Sequence, residues 1–415
     1  MASKASLFVI FLTVFIDLLG FGIVLPLLPL YGKDFAQQLQ LGEDSLQVFV
    51  LIGLLMSSFS LMQFLFAPQW GRLSDRIGRR PVLLVGLAGS VVFYTLFGVA
   101  TVYRSLWLLF ASRIGAGIAG ATISTAHAYI ADATTLQTRA KGMALVGAAF
   151  GLGFTFGPLF GYFAVPSGDG NPGPGPGYAA AALSAVALIF AWFKLPESLD
   201  PARKHEPRRV FDFRALSDAL ATPSIGPLLL AMFVCVVAFA NFESTLSLLI
   251  KDPKGGFEFT FQGVCLIFAF IGLVLSIVQG GIVRRMSGKI AEAKLAMFGS
   301  VLEIVGLVLL AVAGQGRSLA MLLGSLAVIV SGFAFITPSL NSLISRRSDP
   351  AKQGSILGLA QSISSLARII GPAVGIPLFK QGATWPIWLA IGLMVVGMGM
   401  ILMAGRRGQD YVVKA

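Results

Sequence analysis

The sequence predicts an all-α membrane protein with twelve transmembrane helices in two pseudo-symmetric six-helix bundles, and with both termini in the cytoplasm. Of its 415 residues, 56% are hydrophobic and only 12% are charged, and the mean hydropathy is +0.83. A soluble core cannot hide that much apolar surface, so most of it must face lipid. Each crossing takes roughly 20 apolar residues, which leaves room for about a dozen crossings. Basic residues cluster in alternate connections, which fixes the orientation.

The predicted helices are apolar runs bounded by polar breaks, and they are numbered 1 to 12 in chain order. The first six lie near residues 6–30, 46–70, 82–100, 105–130, 141–165 and 178–195. The second six lie near residues 224–250, 259–283, 293–313, 318–344, 354–379 and 384–404. Helix 1 is too long for the core of a signal peptide and lacks a small-residue cleavage site, so we expect it to be retained.

The distribution of basic residues predicts the topology. With a cytoplasmic N-terminus, 23 of the 31 Lys and Arg residues fall in cytoplasmic segments and six fall outside, while Arg113 and Arg368 lie within helices. This bias favours cytoplasmic termini and an even number of helices. The net charge of +12 therefore indicates topology and contact with anionic lipid headgroups, and we expect no nucleic-acid partner.

The domain prediction is an N-terminal bundle over residues 1–195, a cytoplasmic linker over 196–223 and a C-terminal bundle over 224–415. The linker contains Pro196, Pro201 and Pro207, which resist continuous helix. Its end, residues 211–220, places Phe213, Leu216 and Leu220 on one helical face, which is consistent with a short helix lying on the inner membrane surface.

A short internal sequence repeat predicts that the two bundles are related in structure. The sequence GPLFG at 157–161 in helix 5 recurs as GPAVG at 371–375 in helix 11. Paired halves of this kind are typical of transporters whose substrate site lies at the interface of the halves near the membrane midplane. Cys235 and Cys265 lie in apolar runs and are expected to be buried, with no disulfide and no metal.

The connection after helix 2 reads GRLSDRIGRRP, from Gly71 to Pro81. We expect Gly71 and Gly78 to permit a tight turn between two helix ends, and Asp75 to accept backbone donors at a helix N-terminus. Asp132, at the inner end of helix 4, is placed to pair with the arginines of this loop. The predicted cytoplasmic gate comprises Gly71, Asp75, Arg76, Gly78, Arg79, Arg80 and Asp132.

This loop resembles the G-x-x-x-D-R-x-G-R-R loop of the major facilitator superfamily. Helix 5, GLGFTFGPLFGY, is similar to the helix-5 signature of the proton-coupled drug antiporters, with Tyr162 in place of its last glycine. The segments FIDLLGFGIVLPLLP, SRIGAGIAGAT and YIADATT also resemble the tetracycline/proton antiporters, in the same order. Leu275 stands where those proteins carry a histidine in helix 8, so tetracycline itself is not assumed. The helix-5 motif residues, which allow close helix contact and a local bend, are Gly153, Gly157, Pro158 and Gly161.

The resemblance implies a major facilitator fold, proton coupling and a latch formed by Asp132 with the loop arginines. Asp17, half way along helix 1, matches the membrane-embedded aspartate of the antiporters, which makes it a candidate proton carrier. Its alternative is a neutral structural hydrogen bond. Arg113 matches the arginine of the helix-4 motif, with either a coupling role or a purely structural one.

Other ionisable or polar residues within helices are weaker candidates for the coupling site or the substrate cavity. An ionisable side chain near the bilayer centre costs about 3 kcal/mol on insertion scales, so each deserves a hypothesis. Arg368 either contacts an anionic group of the substrate or pairs with an acid of the bundle, and Glu243 either lines the cavity or extends outward. His127 is more simply a core residue. The remaining candidates are Asn241, Gln63 and Glu303.

The predicted function is secondary active transport, with proton-coupled efflux of a small amphipathic organic compound or drug by alternating access. The alternative is a carrier of organic anions or lipid-like amphiphiles, by symport or uniport, that uses Arg368. The sequence carries no GxxxxGKS, GxSxG or HExxH motif, so neither ATP-driven transport nor an enzyme is expected. We expect a monomer without cofactors in the plasma membrane, or the inner membrane of a bacterium, with protons and membrane lipids as partners.

Overall fold

The computed structural model describes the chain in eight main segments. These are residues 4–36, 45–134, 139–166, 171–199, 222–251, 257–316, 318–348 and 353–407, together with residue 39. Most of the predicted linker, including the predicted surface helix at 211–220, lies outside the described residues.

The described chain is nearly all helical, as predicted, and its helices fall at the predicted positions, so the numbering 1 to 12 is kept. Helices 1 to 6 are Lys4–Val24, Leu46–Ile77, Arg79–Val102, Leu106–Gly120 with Ile123–Ala133, Arg139–Ala164 and Gly175–Lys194. Helices 7 to 12 are Gly226–Lys251, Phe261–Ile277 with its continuations Val278–Val283 and Arg284–Met286, Glu292–Gly316, Leu319–Arg347, Gln353–Phe379 and Trp385–Arg407.

Eleven of these helices are long and apolar enough to cross a membrane. Helix 5 is the twelfth, and its apolar part in the described chain is the shorter stretch Ala148–Ala164. Exposed tryptophans lie near helix ends, at Trp107, Trp192 and Trp385, as expected of side chains at the boundary between lipid and water. An all-α membrane protein is therefore confirmed, whereas the twelfth crossing stays a prediction.

Two predicted helix ends are wrong. Helix 1 ends at Val24, six residues before its predicted end, and a separate short helix, Leu28–Ala36, follows a turn. Pro26 and Pro29 explain the break, because proline has no backbone N–H to continue the hydrogen-bond ladder. Helix 2 instead continues past residue 70 to Ile77, although residues 71–77 were predicted to be a connection.

The longer helix 2 changes the predicted turn. Gly71 lies inside the helix, so its predicted place in a tight turn is wrong. Gly78 alone makes the connection to helix 3, with a φ of +104°, in the region that residues with side chains rarely adopt. The polar residues after Trp70 therefore mark where helix 2 leaves the apolar layer of the membrane, and they do not mark the end of the helix.

By compactness, the chain divides into two units. Unit 1 comprises Met1–Glu43, Leu54–Phe211 and Phe259–Leu273, and unit 2 comprises Asp44–Gly53, Asp212–Glu258 and Val274–Ala415. The division follows the two sets of six helices, except that the start of helix 2 belongs to unit 2 and the first part of helix 8 belongs to unit 1. The predicted domain limits at 195 and 224 stay predictions.

Local contacts explain both exceptions. In unit 1, Gly272 of helix 8 lies directly against the Phe154 carbonyl of helix 5, and Gln262 Nε2 donates to the Val165 carbonyl at 3.4 Å. In unit 2, a side chain on Gly53 of helix 2 would lie 3.0 Å from the Pro372 carbonyl of helix 11. Small residues thus allow close backbone contact in both places.

Inside unit 1, helix 5 packs along helix 1 through glycines of the helix-5 motif. A Cβ atom on Gly157 would lie 2.6 Å from the Gly22 Cα atom, and one on Gly153 would lie 2.8 Å from Leu18 Cβ. These distances leave no room for a side chain at either motif position. The glycines therefore set how closely helix 5 can approach helix 1.

The repeated motif has the same packing role in unit 2. Gly371 of helix 11 lies against Ala240 and Asn241 of helix 7, and a side chain on Gly375 would overlap the Asn241 side chain. Helix 11 thus packs on helix 7 as helix 5 packs on helix 1. The repeated sequences GPLFG and GPAVG therefore share one physical role, which is close packing of a glycine against the neighbouring helix.

We expect Gly157→Ala to destabilise the protein, because overpacking a tight contact costs about 1–3 kcal/mol. The matched control is Gly399→Ala in helix 12, where a Cβ atom would meet nothing within 4 Å. Thermal melting in detergent should show a lower midpoint for Gly157→Ala and an unchanged or higher midpoint for the control. Equal midpoints for the two variants would contradict this packing.

Candidate functional site

A buried polar cluster in unit 1 joins helices 1, 3 and 4. Asp17 lies on helix 1, Ser90 and Tyr94 lie one turn apart on helix 3, and Arg113 lies on helix 4. Arg113 is only 2% exposed, and Ser90 and Tyr94 are each 3% exposed. The Ser90 hydroxyl hydrogen-bonds to Asp17, and the Arg113 guanidinium hydrogen-bonds to the Tyr94 hydroxyl. The structure thus links the two charged residues that the sequence singled out in this half through one face of helix 3.

The Arg113 guanidinium also lies over an aromatic ring. Its Cζ atom is 4.6 Å from the centre of the Phe59 ring in helix 2, which is a cation–π contact. The Phe59 ring is 4.9 Å from that of Phe21, and the Phe21 ring is 5.9 Å from that of Phe154. Arg113 therefore connects a hydroxyl on helix 3 with an aromatic trio on helices 1, 2 and 5.

The candidates in unit 2 form a second group on helices 7 and 11. Asn241 is 1% exposed, and its Nδ2 donates to the Pro386 carbonyl at 2.7 Å. Glu243 lies within electrostatic range of Arg368. Among the described residues, no ion pair within 4 Å joins their side chains.

Two further candidates have surroundings that bear on their roles. Glu303 of helix 9 is 1% exposed, lies against Gly332 of helix 10, and has one oxygen without a hydrogen bond in the described part of the chain. Gln63 donates to the Gly120 carbonyl at 3.3 Å, where helix 4 is interrupted. That bond satisfies a carbonyl at a helix end and gives Gln63 a structural role. His127 is half-buried in the second section of helix 4.

At the predicted cytoplasmic gate, Arg79 is the central residue. It is 3% exposed, and its Nε donates to Asp132 Oδ2 at 3.0 Å while its Nη1 lies 2.5 Å from Asp75 Oδ1. Arg80 instead donates to the Trp192 carbonyl at 2.6 Å, and Arg76 is exposed. The structure thus places Asp132 against one arginine of the loop.

Glu197 is a residue of this region that the sequence analysis missed. Its carboxylate accepts the backbone N–H groups of Arg79 at 2.9 Å and Arg80 at 3.1 Å, at the start of helix 3. Asp75 was predicted to accept such donors, and that prediction is wrong because Asp75 lies inside the extended helix 2. Glu197 follows helix 6 in the sequence, so no local pattern indicates this distant contact.

We expect a double-mutant cycle on Arg79 and Asp132 to give a coupling energy above about 1 kcal/mol, because both side chains are largely withdrawn from water. The control cycle uses Arg104 and Asp34, paired at 2.7 Å with side-chain exposures of 48% and 27%. Exposed pairs contribute about 0–1 kcal/mol. Unfolding of the alanine variants in detergent measures both cycles, and equal coupling energies would contradict the burial argument.

The sequence matches the family model described as Major Facilitator Superfamily over residues 10–372. The chain belongs to the major facilitator superfamily. It is an integral, multi-pass membrane transporter, so the interpretation as a transporter and not an enzyme is confirmed. The predicted resemblance to tetracycline-efflux proteins is also confirmed.

Curated relatives cover most of both chains. The chain is 33% identical over 408 residues to major facilitator superfamily domain-containing protein 10 of Bos taurus, covering 88% of this chain and 85% of the relative. It is 31% identical over 399 residues to the class E tetracycline resistance protein of Escherichia coli, covering 94% and 91%.

Solved structures agree on the fold. The human organic anion transporter MFSD10 (TETRAN) matches with a TM-score of 0.72 at 29% identity, covering 96% of this chain and 99% of that one. A bacterial homolog of the human lysosomal transporter Spinster matches with a TM-score of 0.78 over the full length of both chains. Its 14% identity makes that second match evidence of the fold alone.

Proposed function

We propose that this transporter exports a small amphipathic organic compound in exchange for protons, by alternating access, with Asp17 as the proton carrier. The observation that carries the proposal is the Asp17 carboxyl group, which accepts a hydrogen bond from Ser90 beside the buried Tyr94–Arg113 pair. The relatives named for tetracycline resistance support export of an amphipathic compound.

The chemistry of the cluster suits reversible protonation. A neutral Asp17 can stay between apolar helices at little cost, whereas a charged one needs compensation from the Ser90 hydroxyl and from Tyr94, which Arg113 supports. Gaining or losing the proton therefore changes how strongly helix 1 is attracted to helices 3 and 4. About 100 mV of proton driving force gives about 2.3 kcal/mol per charge. At about 1.4 kcal/mol per tenfold, one proton sustains a gradient of roughly 50-fold.

The architecture that this mechanism needs is part of the proposal. It comprises twelve crossings, two six-helix halves over 1–195 and 224–415, and cytoplasmic termini. The excess of basic residues in the predicted inner connections supports this orientation. The Arg79–Asp132 pair acts as a latch on the cytoplasmic side, and the protein works as a monomer among anionic lipids of the plasma or bacterial inner membrane.

We expect Asp17→Asn to abolish substrate-driven proton movement, because an amide cannot release a proton. The matched control is Asp34→Asn, which removes a carboxylate that pairs with exposed Arg104. The measurement uses sealed proteoliposomes containing a pH-sensitive dye, to which cationic, neutral and anionic amphiphiles are added in turn. Wild type and Asp34→Asn should move protons opposite to the substrate.

Normal uphill transport by Asp17→Asn would remove Asp17 from the mechanism. Substrate uptake by the wild type without proton movement for any amphiphile would contradict proton exchange altogether. The panel also ranks the substrates by charge.

The second candidate function is transport of organic anions or lipid-like amphiphiles, by symport or uniport, with Arg368 as the anion contact. Arg368 is half-buried on helix 11, and the described residues place no carboxylate within ion-pair distance of it. A guanidinium in that state can bind a carboxylate or phosphate through paired hydrogen bonds. The likeness to the human organic anion transporter MFSD10 (TETRAN) also favours this candidate.

We expect Arg368→Ala to lower uptake of anionic amphiphiles at least about tenfold relative to cationic ones, since a charged hydrogen bond contributes about 1.5–3 kcal/mol. Arg368→Lys retains the charge and should lose less. Lys380→Ala, at an exposed position beyond the same helix, controls for the change in net charge. Retained anion uptake by Arg368→Ala in the proteoliposome assay would rule out this role.

A further inference from the structure

Two buried side-chain oxygens on helices 1 and 6 have no hydrogen-bond partner among the described residues. They are Asp17 Oδ1 on helix 1 and Ser184 Oγ on helix 6. Gly20, one turn after Asp17, faces helices 3 and 6, because a Cβ atom there would be 3.1 Å from Tyr94 Cε2 and 3.5 Å from Ser184 Oγ. The missing side chain at Gly20 thus lets Tyr94 and Ser184 approach the face of helix 1 that carries Asp17.

This polar face is distinct from the face that packs on helix 5. Leu18, Leu19 and Gly22 make the glycine-mediated contacts with helix 5. With 3.6 residues per turn, Asp17 and Gly20 lie on the opposite side of helix 1 from those three residues. Protonation of Asp17 therefore acts first on helices 3, 4 and 6.

We propose that Tyr94 is a positioning residue that transmits the protonation state of Asp17 to Arg113. The inference rests on the proposed function, since it assumes that Asp17 carries the exchanged proton. Tyr94 shares a hydrogen bond with Arg113 and interacts electrostatically with Asp17. Ser90, one turn away on the same face, hydrogen-bonds to Asp17. One helix face thus contacts both charged residues.

The two protonation states place different demands on Arg113. When Asp17 is charged, its attraction through Tyr94 draws the guanidinium toward helices 1 and 3. When Asp17 is protonated, that attraction disappears, and the contact with the Phe59 ring at 4.6 Å becomes the stronger one. Because Phe59 contacts Phe21, each proton changes the packing of the aromatic trio.

The neighbouring elements bring few competing charges to Asp17. Helix 3 presents Tyr94 and helix 4 presents Arg113, while Tyr129 of helix 4 packs with the inner half of helix 1. Helix 4 also carries His127 in its second section and Asp132 at its inner end, where the Asp132 carboxylate pairs with Arg79. The charged or titratable residues of helices 5 and 6 lie toward their ends, at Arg139, Lys141, Tyr162, Tyr178 and Lys194. Tyr94 is therefore the residue through which Asp17 and Arg113 are linked electrostatically.

The test variant is Tyr94→Phe, which removes one hydroxyl and keeps the ring. The matched control is Tyr31→Phe, because Tyr31 is 0% exposed in the same unit and its hydroxyl donates to the Gly173 carbonyl at 2.6 Å. In proteoliposomes, we expect Tyr94→Phe to keep substrate exchange without a gradient, and to lose most of the pH dependence of substrate binding. Uphill accumulation should fall at least about tenfold, or about 1.4 kcal/mol.

A second variant tests the same role without removing a polar group. Gly20→Ala places a methyl group against the Tyr94 ring and should displace its hydroxyl from Arg113, with the same direction of effect. Both variants are assayed only as protein that elutes as a single species in detergent. Either variant that meets this criterion tests the role of Tyr94 by itself.

The assays of Tyr94→Phe, Tyr31→Phe and the wild type distinguish a failure of this inference from a failure of the proposed function. A wild-type pH profile and wild-type accumulation in Tyr94→Phe, as in Tyr31→Phe, would overturn the role of Tyr94 while leaving proton exchange intact. A wild type that moves substrate without protons would overturn the proposed function itself. Equal losses in Tyr94→Phe and Tyr31→Phe would show a merely structural hydroxyl and also overturn the inference.

Discussion

The arrangement of unit 1 depends on one constraint, a guanidinium buried among apolar helices. Arg113 is 2% exposed, and a cation at that depth is costly unless other groups replace its water. Tyr94 supplies a hydroxyl and Phe59 supplies a ring face. Asp17 supplies negative charge only when it is deprotonated. In the proposed mechanism, the proton on Asp17 is the one variable in this cluster, and Tyr94 links it to Arg113.

Close helix packing makes such a cluster possible. Gly22 and Gly157 bring helices 1 and 5 into backbone contact, and Gly20 leaves the opposite side of helix 1 open to Tyr94 and Ser184. Small residues on two sides of one helix thus separate a packing face from a polar face. In unit 2, Gly371 lies against helix 7 in a similar way, so the repeat conserves the packing contact although the charged residues differ.

The sequence predicted the helices and the charged residues better than their partners. Asp17 and Arg113 were found because an ionisable residue in an apolar run is conspicuous, whereas serine and tyrosine are ordinary in such runs, so Tyr94 was missed. Glu197 was missed because its contact with helix 3 is distant in sequence. The end of helix 2 was misplaced because polarity marks the edge of the apolar layer, and a helix can continue beyond it.

The most direct test of the central claim is the number of protons released when a substrate from the transport panel binds to the detergent-solubilised protein. A pH indicator in weakly buffered solution measures that release for the wild type and for Asp17→Asn. The account predicts substrate-dependent release by the wild type and none by the variant, with substrate still bound. Equal release by both proteins would contradict the claim that Asp17 carries the exchanged proton.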